Sequence, residues 1–212
     1  MVSFLIIAGS SYLIGSIPFG YILLRAFRGQ DVRKSGSGNI GATNVARSSL
    51  ALGVATLLLD AGKGAAAVLS ALLISRLWNS GYPLRESDAA IRAALAGFFA
   101  VLGHMFPAWL RFKGGKGVAT ALGSFVLIAP KATLVMIGVF AFTLLAFRFV
   151  SLGSVIAVAL FPLPVWLLRE YHDEPLVLAL TAATSIMIVL KHHANIRRLI
   201  LGTEPHFQLR RG

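Results

Sequence analysis

Long apolar runs separated by short polar stretches make up the whole chain. The runs cover residues 2–24, 51–75, 89–110, 118–128, 131–147, 151–168 and 175–190. A helix rising 1.5 Å per residue needs about 20 apolar residues to cross roughly 30 Å of hydrocarbon. The pattern therefore predicts an all-α, polytopic membrane protein with seven transmembrane helices, forming a single domain over residues 1–212. The fourth run is short and Pro130 separates it from the fifth, so the two could also form one kinked helix, giving six crossings.

Charge placement chooses between these counts. Seven crossings with the N-terminus outside put Arg25, Arg28, Arg33, Lys34, Arg47, Arg111, Lys113, Lys116, Arg148, Lys191, Arg197, Arg198, Arg210 and Arg211 on the cytoplasmic side. The outer side keeps Arg76, Arg85, Arg92, Lys131 and Arg169, and Lys63 lies within a run. Fusing the fourth and fifth runs would send the basic C-terminal tail outside, against the positive-inside rule. Seven helices with a cytoplasmic C-terminus is the expectation. The first run carries no charge before Arg25, unlike a cleaved secretion signal, and is read as a retained helix.

Composition agrees: 57% hydrophobic residues, 13% charged residues and a mean hydropathy of +0.78 lie outside the range of ordinary soluble domains. The net charge of +12 fits anionic lipid headgroups and phosphorylated ligands better than nucleic acid, whose soluble binders have shorter apolar runs. Without cysteine there is no disulfide, no thiolate metal site and no acyl-thioester intermediate on the protein.

Three polar stretches carry the candidate chemistry, and the expected topology places all of them on the cytoplasmic side. The first, residues 35–47, combines Gly36, Gly38 and Gly41 with Ser37, Asn39, Thr43, Asn44 and Arg47. Glycines let backbone N–H groups turn inward, and hydroxyl, amide and guanidinium donors suit phosphate oxygens. Thr43 or Asn44 could equally begin the next helix. The second stretch, residues 111–117, brings Lys113, Gly114, Gly115, Lys116 and Gly117 to the start of a helix, where free amides and the helix dipole favour an anion. It lacks the glycine and the Ser or Thr of a nucleotide-binding P-loop. The third, residues 191–198, is expected to continue the last helix with His192, Asn195 and Arg198 on one face.

Asp60 and Lys63 stand three apart within the second run, where paired charges mark a structural or functional cleft. His104 near Pro107 is read as a positioning residue, and Glu204 as a partner for a nearby arginine. No carboxylate stands at ligand spacing from His192 or His193, so no metal is expected. No histidine is followed by Asp at the spacing of the common His-x4-Asp acyltransferase dyad, and a Gly-x-Ser-x-Gly elbow is absent.

Taken in order, GSGNIGATN at 36–44 with Arg47, GHMFP at 103–107 leading to KGGKGVAT at 113–120, and His192, Asn195, Ile196, Arg198 and Leu199 ending in Gly202, Thr203 and Glu204 resemble the motifs of bacterial membrane acyl-phosphate:glycerol-3-phosphate acyltransferases. DAGKG at 60–64 also looks like a feature of that family. The resemblance implies seven transmembrane helices in the bacterial cytoplasmic (inner) membrane and active-site loops on the cytoplasmic side. It implies transfer of a fatty acyl group from acyl phosphate to the 1-hydroxyl of glycerol 3-phosphate, giving lysophosphatidate and inorganic phosphate. An acyl phosphate is already activated, so neither a covalent acyl-enzyme nor a cofactor is expected. The partners would be glycerol 3-phosphate, a long-chain acyl phosphate and membrane lipids, with no nucleic acid and no obligate protein partner. Ser37, Arg47, Lys116, His192 and Asn195 are the candidate catalytic residues. A transporter or exchanger of phosphate or organophosphate is the rival class; it would normally show repeated halves and broken helices meeting near the bilayer centre.

Overall fold

A computed structural model describes residues 2–78, 85–171 and 173–206. Residues 79–84 of the loop between the second and third runs, His172 and the basic Arg210 and Arg211 lie outside these. Among the described residues the regular structure is helical, as expected, and the chain divides into two compact units, residues 1–128 and 129–212.

The first unit begins with α1 (Val2–Gly15) and α2 (Phe19–Arg28). The sequence predicts one helix here; the break falls at Ser16 to Pro18, because proline lacks the N–H that would continue the ladder. Gly29, at φ 65°, ends α2 by donating its N–H to Arg25 O. A four-residue helix α3 (Ala42–Val45) precedes α4 (Leu50–Trp78), α5 (Glu86–Met105) and α6 (Val118–Ile128). Small residues allow close packing without help from water. A side chain at Gly15 or Gly103 would strike the α5 or α1 backbone, respectively. Ile7, Ala71 and Ala96 join α1, α4 and α5 in a buried cluster.

α6 has only 11 residues, about 16 Å at 1.5 Å per residue and short of the hydrocarbon thickness. Its first turns pack beside the middle of α4, Gly64 against Thr120 and Ala61 against Gly123. The preceding turn therefore sits alongside the body of α4 rather than at its end, and α6 starts part-way along its neighbour.

The second unit comprises α7 (Pro130–Phe147), α8 (Val150–Leu160), α9 (Pro162–Leu167), α10 (Pro175–Lys191) and α11 (His193–Ile200). The chain leaves helical geometry at Ala129 (φ −135°, ψ 75°), so the fourth and fifth runs are separate helices. The Glu170 carboxylate accepts the N–H groups of Lys131 and Ala132 at 2.9 and 2.8 Å, satisfying amides that the start of α7 leaves open. α10 and α11 meet at His192 with a 57° bend, where the sequence pattern predicts an unbroken helix.

Among the described residues, five helical stretches are long and apolar enough to cross a membrane: Val2–Arg28, Leu50–Trp78, Glu86–Leu110, Pro130–Phe147 and Val150–Leu167. Pro175–Lys191 with His193–Ile200 makes a sixth if the bent pair is one span, and Val118–Ile128 is the run that falls short.

Candidate functional site

The first two polar stretches belong to the first unit and share an apolar base. Leu24, Val32, Ile40, Val45 and Leu110 form one buried cluster beneath them. Asp31 opens a 3₁₀ turn (Val32–Lys34) by accepting the Arg33 N–H, and the Arg33 guanidinium binds both of its carboxylate oxygens at 2.9 and 2.7 Å. Those charged bonds pull the Asp31 carboxyl down to about 2. The same guanidinium lies 4.9 Å from the centre of the Tyr21 ring.

Asn44 organises the loop. It is 4% exposed; its Oδ1 accepts the Ser37 N–H at 2.9 Å, and its Nδ2 faces the carbonyls of Val32, Ser35 and Asn39 at 3.1, 3.0 and 2.9 Å. Asn39 Oδ1 accepts the Gly41 N–H, and the Gly38 N–H goes to Ser35 O. The amides of Ser37, Gly38 and Gly41 thus shape the loop itself. Of the glycine amides expected to turn inward toward phosphate, those of Gly38 and Gly41 are engaged within the loop. Gly36 and Gly38 take φ of 57° and 70°, and the Arg47 side chain passes beside Gly36. Ser37, Thr43 and Arg47 are exposed at the loop surface.

In the second stretch, Arg111 and Phe112 adopt left-handed φ of 54° and 61°, held by N–H bonds to Ala108 O and Pro107 O. Gly114 and Gly115 then donate to Met105 O and His104 O. These two amides also serve the turn, so their glycines act through close approach: a Cβ at Gly114 would meet His104 O, and one at Gly115 would meet His104 Nε2. Lys113 is exposed and Lys116 half-buried. Gly117, at φ 90°, leads into α6, whose opening amides have no partner within the helix.

Behind this turn lies the buried set predicted from spacing. Lys63 Nζ sits 2.8 Å from Asp60 Oδ1 and donates to Ile17 O at 2.7 Å, the carbonyl exposed by the break between α1 and α2. His104 Nδ1 stands 3.6 Å from the same Asp60 oxygen. A carboxylate on α4 and an imidazole on α5 are therefore paired behind the Gly114 and Gly115 turn, a relation sequence spacing alone does not show.

The third stretch stands in the second unit with its own partners. Glu204 accepts from Ser151 Oγ at 2.6 Å, Asn195 Nδ2 at 2.7 Å and Arg198 Nε at 2.7 Å. Burial pushes this carboxyl up, but those three bonds and the Arg198 charge outweigh it and hold it below its ordinary value. His192 Nδ1 lies 2.7 Å from Ile188 O; because a carbonyl only accepts, the proton sits on Nδ1 and a neutral ring carries its lone pair on Nε2. Ser151 escapes sequence reasoning because nothing near it in the chain announces a partner 53 residues away. Among the described residues, no group of three His, Asp or Glu side chains is placed to hold a metal ion.

The family model for glycerol-3-phosphate acyltransferase matches residues 4–202. A glycerol-3-phosphate acyltransferase of Syntrophotalea carbinolica is 44% identical over 98% of this chain and 100% of its own length. One from Agrobacterium fabrum is 47% identical over 91% of this chain and 86% of its own. Two crystal structures of PlsY (YgiH), an integral membrane glycerol 3-phosphate acyltransferase, are also similar. Its glycerol 3-phosphate form superposes with a TM-score of 0.83 at 35% identity, covering 97% of this chain and 96% of that one. Its lysophosphatidic acid form gives 0.80 at 34%, with the same coverage.

Proposed function

This chain belongs to the glycerol-3-phosphate acyltransferase family, and on that premise we propose that it moves a fatty acyl group from acyl phosphate to the 1-hydroxyl of glycerol 3-phosphate. The observation that carries this reading is the likeness, over nearly the whole chain, to a structure bearing glycerol 3-phosphate and to one bearing lysophosphatidic acid. The donor is the one the motif resemblance implies. A mixed anhydride of a fatty acid and phosphate needs no further activation, which agrees with a chain that has no cysteine to carry the acyl group.

The hydroxyl oxygen attacks the acyl carbonyl, the carbon–oxygen bond to phosphate breaks, and inorganic phosphate leaves. The protein's work is to hold two anions near one another and to stabilise charge on the carbonyl oxygen and the leaving group. Ser37, Asn39 and Thr43, on a loop shaped by Gly36, Gly38, Gly41 and Asn44, hold one phosphate with Arg47. Lys116, with Lys113 and the amides at Gly117 and the start of α6, holds the other on a turn shaped by Gly114 and Gly115. His192 and Asn195 orient the reacting groups and Arg198 adds positive charge, while Asp60, Lys63, His104 and Glu204 position these residues. The hydroxyl proton goes to His192 Nε2 or to the donor's own phosphate.

The protein is a multi-pass membrane protein. We assign it to the bacterial cytoplasmic membrane as one domain with seven helical segments, the N-terminus outside and the C-terminus and polar loops cytoplasmic. The distribution of lysine and arginine supports this orientation. Purified protein given glycerol 3-phosphate and palmitoyl phosphate, without coenzyme A, acyl carrier protein or metal, is expected to release lysophosphatidate and phosphate in equal amounts. Product only from palmitoyl-coenzyme A would reject the donor. Phosphate flux across sealed vesicles without any acyl product would favour a transporter.

A further inference from the structure

α11 presents two opposed faces. At about 100° per residue, Asn195 and Arg198 fall on the side that meets Glu204, while His193, Ile196, Arg197 and Ile200 fall on the other. On that second side is a shallow groove of about 460 Å³, with Val189, Leu190, Ile196 and Ile200 as apolar wall and His193 and Arg197 as its polar edge. Leu190 and Ile200 are 65% and 79% exposed, so no described part of the chain covers the apolar wall. An adjoining hollow of about 410 Å³ is bordered by His193, Ala194, Arg197 and Arg198. His193 and Arg197 are one helical turn apart and so neighbours on the surface. Arg198 is tied to Glu204, whereas no carboxylate among the described residues pairs with Arg197.

These features fit one occupant. A helix turned 57° from the apolar helix it follows, greasy on one side with a guanidinium and an imidazole beside the grease, matches the profile of the membrane interface. The apolar wall suits an acyl chain, and the Arg197 guanidinium, a fork that can bind phosphate oxygens in pairs, suits the headgroup at its end. We infer that the outer face of α11 is a binding site for an anionic phospholipid, formed by His193 and Arg197 at the headgroup and by Leu190, Ile196 and Ile200 along the chain. The site is separate from the face that carries Asn195 and Arg198. The lipid would hold α11 in place from one side while Glu204 holds it from the other.

The test is native mass spectrometry of the full chain in a neutral detergent, with phosphatidylglycerol and phosphatidylcholine of matched chains offered together. The wild type is expected to retain phosphatidylglycerol in preference. His193→Gln with Arg197→Gln should lower that retention by about fivefold, the weight of the one guanidinium charge at the headgroup, and turnover in the same lipid-free detergent should be unchanged. Equal retention of both lipids by the wild type, or an unaltered preference in the double variant, overturns the site. Displacement of phosphatidylglycerol by millimolar inorganic phosphate would also overturn it, since the groove would then hold a free anion rather than a lipid. Because the readout is lipid retention, the result does not depend on which acyl donor the enzyme uses.

Discussion

Ser151 Oγ donates a 2.6 Å hydrogen bond to Glu204 Oε1, tying the start of α8 to the segment that follows α11. The same carboxylate holds Asn195 and Arg198, so two residues proposed to handle substrate depend on a third side chain for their placement. Removing its charge should cost about 1.5–3 kcal/mol per charge-assisted bond lost, felt locally. Glu204→Gln is therefore expected to speed amide exchange in residues 193–204 and lower kcat, with the rest of the protein protected as before. Unchanged exchange there would refute the positioning role.

The same carboxylate sets a pH dependence. A carboxyl held below its ordinary 4.5 adds stability above that value and loses it as pH falls through the native one. Exchange protection of α11 should hold steady from neutral pH to about 4.5 and fall only in more acid solution. In Glu204→Gln this acid-dependent fall should be missing.

Gly115 lies against His104 Nε2, whereas nothing stands within 4 Å of the Cβ position at Gly62 or Gly138. Gly115→Ala must displace the imidazole or the turn, and is expected to reduce kcat/KM at least about tenfold, a barrier change of about 1.4 kcal/mol. Gly62→Ala and Gly138→Ala should leave activity intact and raise thermal stability slightly, since alanine is favoured over glycine in a helix by about 0.5–1 kcal/mol. Similar activity in all three would remove the argument for close approach.

For Asn44, the acidic isostere should be worse than truncation. Asn44→Ala loses the loop's hydrogen bonds, at about 1 kcal/mol each. Asn44→Asp puts a buried carboxylate against the carbonyls of Val32, Ser35 and Asn39, where an amide now donates. Thermal unfolding in detergent should rank wild type above Ala and Ala above Asp; the reverse order would mean the amide is not the donor.

If the phosphate assignments hold, Lys116→Ala and Arg47→Ala will each cut turnover at least about a hundredfold, the scale seen when one preorganised donor to developing charge is removed. Both proteins should remain folded in detergent. Wild-type rates in both would reject the two-phosphate arrangement.

Much of this protein was legible in its sequence. Apolar runs separated by polar stretches specify membrane helices, because lipid cannot satisfy a bare backbone and leaves helices as the local solution. The three motif stretches and the Asp60 and Lys63 pair also follow from residue type and spacing, since neighbours three or four apart on a helix meet whatever the rest of the chain does. Only the tertiary structure showed that Lys63 also reaches Ile17 O, that His104 pairs with Asp60, and that Ser151 belongs with Glu204. Such contacts join residues far apart in the chain and depend on how helices pack. It also showed that Gly38, Gly41, Gly114 and Gly115 use their amides to build loops, and that α6 can be short because it begins beside the middle of α4. Composition marks where the chain can turn; the direction in which a backbone N–H points is set by the neighbours that surround the turn once it has folded.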